Sequence, residues 1–416
     1  MKRISVYADF DFLSAAQEIG TLGYEHVRGK DHFLFEYSGQ WLRQYGGIFL
    51  SGDLMNIPSP QHPRGEDGVF GFVKDSFPDR WGRLLLDRRE RLMAQNEGRP
   101  IRTLTDYDYL VGIEDYTRMG GLRYKNEGSD DFINAGDRYL VPPFESLGAL
   151  CNACHEIELA EQRNELPERR WLEQLVDPGT SLGGARPKAN VIDSDGRLYV
   201  AKFPSKNDLE NTELIEHFSH RIAASAGINV ADTRIIRISK DRDLMLSKRF
   251  DRTPDGKRIH FASAMSLLGL DDGAGCGTGN GYLDIVEFVI RACVNAAQNL
   301  RELYRRVAFN VMFGNTDDHY RNHGFLLTPK GWTLSPAYDI NPGNKTHQCL
   351  LIDQYSEKSD IGALLSACNS YMLDDAEAAE IIDEVRSSVK DWRRIAAELQ
   401  IPLKILAPYS HRWDTL

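Results

Sequence analysis

At 416 residues, with 42% hydrophobic and 27% charged side chains, the chain has enough apolar material for a large core and more than one domain. A formal net charge of −11 is the wrong sign for a protein whose main ligand is nucleic acid, and no window approaches the roughly 18 uninterrupted apolar residues of a membrane span. The opening MKRISVYADFDFLSAAQ lacks the pattern of a signal peptide, and six cysteines are scattered without a bridge-like spacing. A cytoplasmic protein with reduced thiols and no membrane partner is the expectation.

In chain order, residues 1 to about 50 alternate short apolar runs with Gly and charged turns and predict a small sheet. A loop at Pro58–Gly65 and the run Phe77-Pro78-Asp79-Arg80-Trp81-Gly82-Arg83 follow, then a charged helix from Leu84 to about Gln95, with Pro78 expected in its first turn. The stretch from Pro142 to Pro167 holds an acidic helix and the best candidate boundary. Inside it Cys151-Asn152-Ala153-Cys154-His155 matches a haem-attachment pattern, but the amphipathic surroundings favour two core thiols. The remaining cysteines and histidines offer no second pair for zinc.

From Thr180 the pattern changes to a glycine loop (Gly183, Gly184), a strand, a turn at Ser194–Gly196, and a second strand ending at Lys202. Helical spacing over Asn211–Ala226 ends at Gly227, and strands at Arg234–Ile238 and Leu244–Phe250 come next. The chain is then mostly helical, at Ser263–Leu268, Leu283–Ala296, Leu300–Phe313, Ile361–Met372 and around Glu377–Leu399. The glycine-rich segment 271–281 has no entering strand for a dinucleotide fingerprint and reads as a mobile, substrate-facing or activation-type loop.

The stretch Asn315–Asp339 carries the most chemistry. Gly324–Leu327 and Trp332–Leu334 predict a hairpin about Pro329-Lys330-Gly331, which would bring Asp317, Asn322 and Asp339 together. Asp317-x4-Asn322 with a later aspartate is the spacing a protein kinase uses for a base and two metal ligands. Asp and Asn also cluster in turns and caps, and a strand-end lysine such as Lys202 commonly faces solvent. The serial order decides between the two readings. A glycine loop, strand lysine, helix glutamate (Glu213 or Glu216), Asp-x4-Asn and terminal Asp occur in kinase order. The expected fold class is α+β, a two-lobed protein-kinase-like fold with a β-rich N-terminal lobe and a mostly helical C-terminal lobe.

These motifs resemble those of the HipA-like serine/threonine kinases, toxins of bacterial toxin–antitoxin pairs. The resemblance spans nearly the whole chain. It rests on Phe77–Arg83, on Ser181-Leu182-Gly183-Gly184-Ala185-Arg186-Pro187-Lys188, on Arg249-Phe250-Asp251-Arg252, on Asn315–His319 with Asn322, and on Ala337-Tyr338-Asp339. It implies an extra N-terminal subdomain over 1–145, a nucleotide-binding small lobe over 146–250 and a helical lobe over 251–416. Asp317 would be the base, Asn322 and Asp339 the Mg2+ ligands, Lys202 the phosphate-holding lysine and Glu216 its partner. ATP would lie against Ser181, Gly183, Gly184, Lys202, Arg249 and Phe250, with adenine passing the strand end at Lys248–Phe250. Lys248 departs from relatives that carry an acidic residue there. Ser181 would be the autophosphorylated serine. The implied protein substrate is a translation component such as an aminoacyl-tRNA synthetase, and the implied partner is a helix-turn-helix antitoxin encoded nearby, with DNA contacted only through it. A small-molecule phosphotransferase and an inactive kinase-fold binding module are the competing classes.

Overall fold

The computed structural model of the protein describes residues 1–136, 140–179, 184–239 and 242–416. The chain divides into two compact units, Met1–Leu209 with Arg234–Ala262, and Glu210–Thr233 with Ser263–Leu416.

The first unit holds two antiparallel sheets. One comprises β1 (Lys2–Ala8), β2 (Gln17–Val27), β3 (Lys30–Tyr37) and β4 (Leu122–Asn126) in the order β3-β2-β1-β4. Period-two alternation buries Ile4, Val6 and Ala8 of β1 and Phe33, Phe35 and Tyr37 of β3 on one face. Four helices accompany it: α1 (Gly39–Tyr45), α2 (Gly71–Lys74), α3 (Arg80–Glu97) and α4 (Asp106–Gly112). Helix α3 starts earlier than the charge pattern predicts. Its N-cap is Asp79, whose Oδ1 accepts from Gly82 N at 2.6 Å, so Pro78 stands before the cap rather than in the first turn.

The other sheet, in the order β5-β6-β8-β7, comprises β5 (Lys188–Ile192), β6 (Leu198–Lys202), β7 (Thr233–Ser239) and β8 (Arg242–Lys248). It packs with α5 (Leu147–Gln162) and α6 (Arg169–Gly179) in one apolar cluster, where Leu150, Cys154, Ile157 and Leu175 meet Trp81, Val191, Tyr199 and Leu246. Cys154 is buried and Cys151 packs against the same cluster, as two core thiols would. Helix α6, preceded by Pro167 and ending on Gly179, is not among the elements predicted above, although Trp171, Leu172, Leu175 and Val176 stand at helical spacing.

Strand β9 (Phe261–Ser263) carries the chain into the second unit. That unit contains α7 (Thr212–Ser225), α8 (Ala264–Leu268), α9 (Tyr282–Ala292), α10 (Ala296–Phe309), α11 (Ile361–Ser366), α12 (Asp375–Lys390), α13 (Trp392–Glu398) and α14 (Leu403–Asp414), together with the hairpin β10 (Gly324–Thr328) and β11 (Gly331–Leu334). Asn211 caps α7 by accepting from Leu214 N, and Gly227 follows it at φ +79°. Helix α10 continues as a π-helical turn over Asn310–Gly314. The last helix backs that turn: the Trp413 ring stacks on Phe313 at 4.9 Å, and its Nε1 donates to Phe313 O at 2.8 Å. No helix among the described residues is long and apolar enough to cross a membrane.

Candidate active site

The hairpin forms with the expected register, Phe325 opposite Leu334 and Thr328 opposite Gly331, leaving Pro329-Lys330 as the turn. The loop before it is built on Gly314. This residue sits at φ +91°, and a Cβ there would collide with Arg412 Nη1, so only glycine lets the π-turn release the chain into Asn315–His319.

Adjacent aspartates then take opposite parts. Asp318 is buried, and its Oδ2 accepts from Tyr282 OH, Asn310 Nδ2 and His323 Nε2, each at 2.7 Å. Burial works to raise its pKa, but His323 and Tyr282 more than offset this and hold it below the ordinary carboxylate value. Asn315 Nδ2 extends the network to Asn310 Oδ1 at 3.0 Å. Asp317 is exposed, with its backbone carbonyl accepting from Asn322 Nδ2 at 3.3 Å and its Oδ1 facing the Cys349 thiol at 3.7 Å. Burial first, and Asp317 second, push that thiol up to about 11, so it stays protonated. The structure therefore locks one carboxylate into the scaffold and presents its neighbour.

The segment after the hairpin is tied to the same loop. Tyr338 OH donates to Arg321 O at 2.5 Å, joining the residue before Asp339 to the residue before Asn322. Asp339 itself holds φ +57°, a left-handed backbone that an L-residue adopts only at some cost. Asn322 and Asp339 are both half-buried. One amide and one carboxylate oxygen suit Mg2+, a hard cation that usually takes one or two carboxylates and completes its shell with water and substrate phosphate. No cluster of three or more His, Cys, Asp or Glu residues that could hold a metal occurs among the described residues.

The glycine-rich segment 271–281 borders this loop and is well fastened. Arg321 pairs with Asp272 at 2.7 Å, Cys276 N donates to Cys349 O at 2.8 Å, and Tyr282 N to Leu351 O at 2.9 Å. A short 3-10 turn fills Cys276–Thr278. The mobile loop expected from its glycines is, in this structure, a hydrogen-bonded edge of the site, because backbone pairing with 349–351 substitutes for side-chain packing.

In the first unit, Lys202 ends β6 and is half-buried. Gly184 sits at φ +105°. Ser181 and Gly183 lie outside the described residues. Arg249 is buried, and its side chain serves the fold: Nε and Nη2 donate to Asp251 at 2.8 and 2.5 Å, and Nη1 to Thr117 O and Asn190 Oδ1 at 2.6 and 2.8 Å. In this arrangement the Arg249 side chain is committed to the fold. Phe250 follows the end of β8, its ring 5.9 Å from that of Phe261. Glu213 and Glu216 are buried on α7, which belongs to the second unit, and Glu216 lies 3.8 Å from His220 Nε2.

A profile of the HipA-like C-terminal domain matches residues 180–392, about half of the chain and every candidate residue named above. The chain belongs to the HipA-like family. Among curated relatives it is 29% identical over 208 residues to the serine/threonine-protein kinase toxin HipA of Shewanella oneidensis, covering 43% of this chain and 47% of that one. It is 26% identical over 198 residues to a putative kinase of Haemophilus influenzae, covering 42% of this chain and 57% of the relative. The matched region thus spans about half the length of these curated relatives. In fold, the chain resembles a HipA solved from Shewanella oneidensis MR-1 in a complex of HipA, HipB and operator DNA. The TM-score is 0.64 at 15% identity, with 99% of this chain and 95% of that chain covered. The expected α+β, two-lobed, kinase-like fold is therefore the fold of this HipA-like chain.

Sequence reasoning named Asp317, Asn322 and Asp339 as candidates but missed the residues that shape their loop. Asp318 stood in plain view, and only its burial tells it from Asp317. Tyr282 and Arg412 act from distant elements, and no local pattern marks them.

Proposed function

We propose that this HipA-like chain is an ATP-dependent serine/threonine kinase acting as the toxin of a toxin–antitoxin pair. The observation that carries the reading is the presented Asp317 beside the locked Asp318, with the loop bound through Tyr338 and Arg321 to the segment bearing Asp339. In this reading Asp317 takes the proton from a substrate hydroxyl as that oxygen attacks the γ-phosphorus, and ADP leaves. Lys202, with Gly183 and Gly184, holds the phosphates, and Glu216 or Glu213 steadies the lysine. Asn322 and Asp339 would hold Mg2+, which supplies charge neutralisation when bound. The backbone of Arg249 and Phe250 would pass the adenine.

The substrate we propose is a protein of the translation apparatus, with an aminoacyl-tRNA synthetase as the first candidate, and Ser181 as the self-modified, inactivating serine. A helix-turn-helix antitoxin is the proposed partner, supported by the HipB and operator DNA that accompany HipA in the related Shewanella complex, so that DNA is met only through it. The domain limits we propose remain 1–145, 146–250 and 251–416, and the compartment is the cytoplasm. Incubating the purified full chain with ATP and Mg2+, then mapping phosphate by mass spectrometry, tests the chemistry. Phosphate on Ser181 and on a translation protein added from lysate is the expected result. ATP binding without transfer to any protein would favour a small-molecule kinase or a binding module instead.

A further inference from the structure

The run Phe77–Arg83 has no part in the chemistry described so far, yet it meets the glycine loop directly. Asp79 Oδ2 lies 2.8 Å from Lys188 Nζ, and both side chains are nearly sealed from solvent, at 7% and 3% exposure. Two residues on, Trp81 Nε1 donates to Lys188 O at 3.1 Å. Lys188 is the last residue of the glycine-loop motif and the first of β5. A Cβ on Gly184 would come within 3.1 Å of its ammonium, so the charge sits directly against the loop's backbone. On the other side of Pro187, Arg186 forms a two-pronged pair with Asp208 at 2.5 and 2.6 Å.

The register adds the decisive fact. Lys188 is directly opposite Lys202 in the β5–β6 ladder, so both side chains rise from the same face, with Cβ atoms about 4.5–5.5 Å apart. Like charges so placed repel, and Lys188 lies too deep for water to screen it. A fold seeking stability alone would put an apolar residue there. This one keeps the lysine and buries Asp79 beside it, whose own burial outweighs the pull of Lys188 and raises its pKa.

We propose that Lys188, held by Asp79, is a positioning residue of the nucleotide-phosphate site: it pins the glycine loop at Gly184 and sets a second positive charge opposite Lys202. The anion it serves is the polyphosphate of a nucleoside triphosphate. This rests on the kinase reading above, and it gives the Phe77–Arg83 motif a task, that of anchoring the phosphate loop from the N-terminal part of the chain.

The test uses the full chain with Lys188→Met, Lys188→Arg and the double change Asp79→Asn with Lys188→Met, Asn being able to keep the cap of α3. Affinity for a fluorescent ATP analogue with Mg2+, KM for ATP, kcat and the melting temperature are measured separately. Lys188→Met should raise Kd and KM for ATP by about tenfold or more while kcat changes far less, and Lys188→Arg should recover part of the loss. Removing both charges while an amide oxygen at position 79 still caps α3 should restore most of the melting temperature, since buried ion pairs are often replaceable without loss of stability, yet leave KM high. A folded single or double variant with wild-type Kd and KM overturns the proposal, and so does a KM that returns together with the melting temperature. Wild-type protein that neither binds nor turns over ATP sinks the kinase reading itself, a result separate from either of those.

Discussion

The hydroxyl of Tyr338 donates to the carbonyl of Arg321 at 2.5 Å, so one side-chain-to-backbone hydrogen bond ties the segment leading into Asp339 to the segment leading into Asn322. If those two residues hold Mg2+ together, loosening that bond should weaken the metal before it weakens the fold. Tyr338→Phe is expected to cost about 1 kcal/mol of stability and to raise the Mg2+ concentration needed for half-maximal phosphoryl transfer several-fold. A magnesium titration of activity beside a thermal melt checks this; an unchanged midpoint counts against the pairing.

Asp317 and Asp318 should separate activity from stability. Asp317→Ala removes an exposed side chain, so folding should change by less than about 0.5 kcal/mol while phosphoryl transfer falls by about a hundredfold or more. Asp318→Ala strips the acceptor from Tyr282, Asn310 and His323 and should cost about 3 kcal/mol. Denaturant unfolding and an ATP-transfer assay on both variants decide it, and wild-type turnover by Asp317→Ala would remove the base.

Gly314→Ala meets both a left-handed backbone and the Arg412 guanidinium. A loss of about 2 kcal/mol or more is expected. Adding Arg412→Ala should return the steric part but not the backbone part, so a double-mutant cycle should show clear coupling.

Acid should destabilise the fold in two stages. Burial pushes His217 down to about 4 and His260 down to about 3, so both stay neutral in the folded chain while the unfolded chain protonates near 6.5. The stability they contribute is full above pH 6.5 and falls as pH drops towards 4 and then 3, each histidine losing roughly 1.4 kcal/mol for every pH step in that interval. Asp251 and Asp318, both held low in the folded state, add their losses below about pH 4. Unfolding free energies across pH 7 to 3 should show the first decline, and Phe in place of His217 should reduce its slope.

The hairpin, the helix bearing Glu213 and Glu216, and the order of the motifs were legible because each rests on local chemistry: turn residues, 3.6-residue spacing, an Asn cap and a Gly stop. What stayed hidden depends on contacts remote in sequence. Whether Asp317 or Asp318 is presented is settled by Tyr282, 36 residues away. The task of Lys188 is settled by Asp79, 109 residues away, and by a strand register that apolar alternation cannot reveal in a strand as buried as β5. Arg249 is a candidate ATP contact through the resemblance of its Arg249-Phe250-Asp251-Arg252 run; the structural task of its side chain comes from Asp251 and Asn190, partners that the run alone does not reveal.

The path of the chain makes the first unit indivisible by any single cut. It leaves that unit after Leu209, returns at Arg234 and leaves again after Ala262. A fragment ending at Leu209 would keep β5 and β6 but lose β8, the strand that covers the far side of β6. The bared edge of β6 would offer open amides and carbonyls to any neighbouring chain. On a ribosome the same dependence means that about three-fifths of this chain must emerge before the sheet can close, and until then the edge of β6 stays open to chaperones and to aggregation.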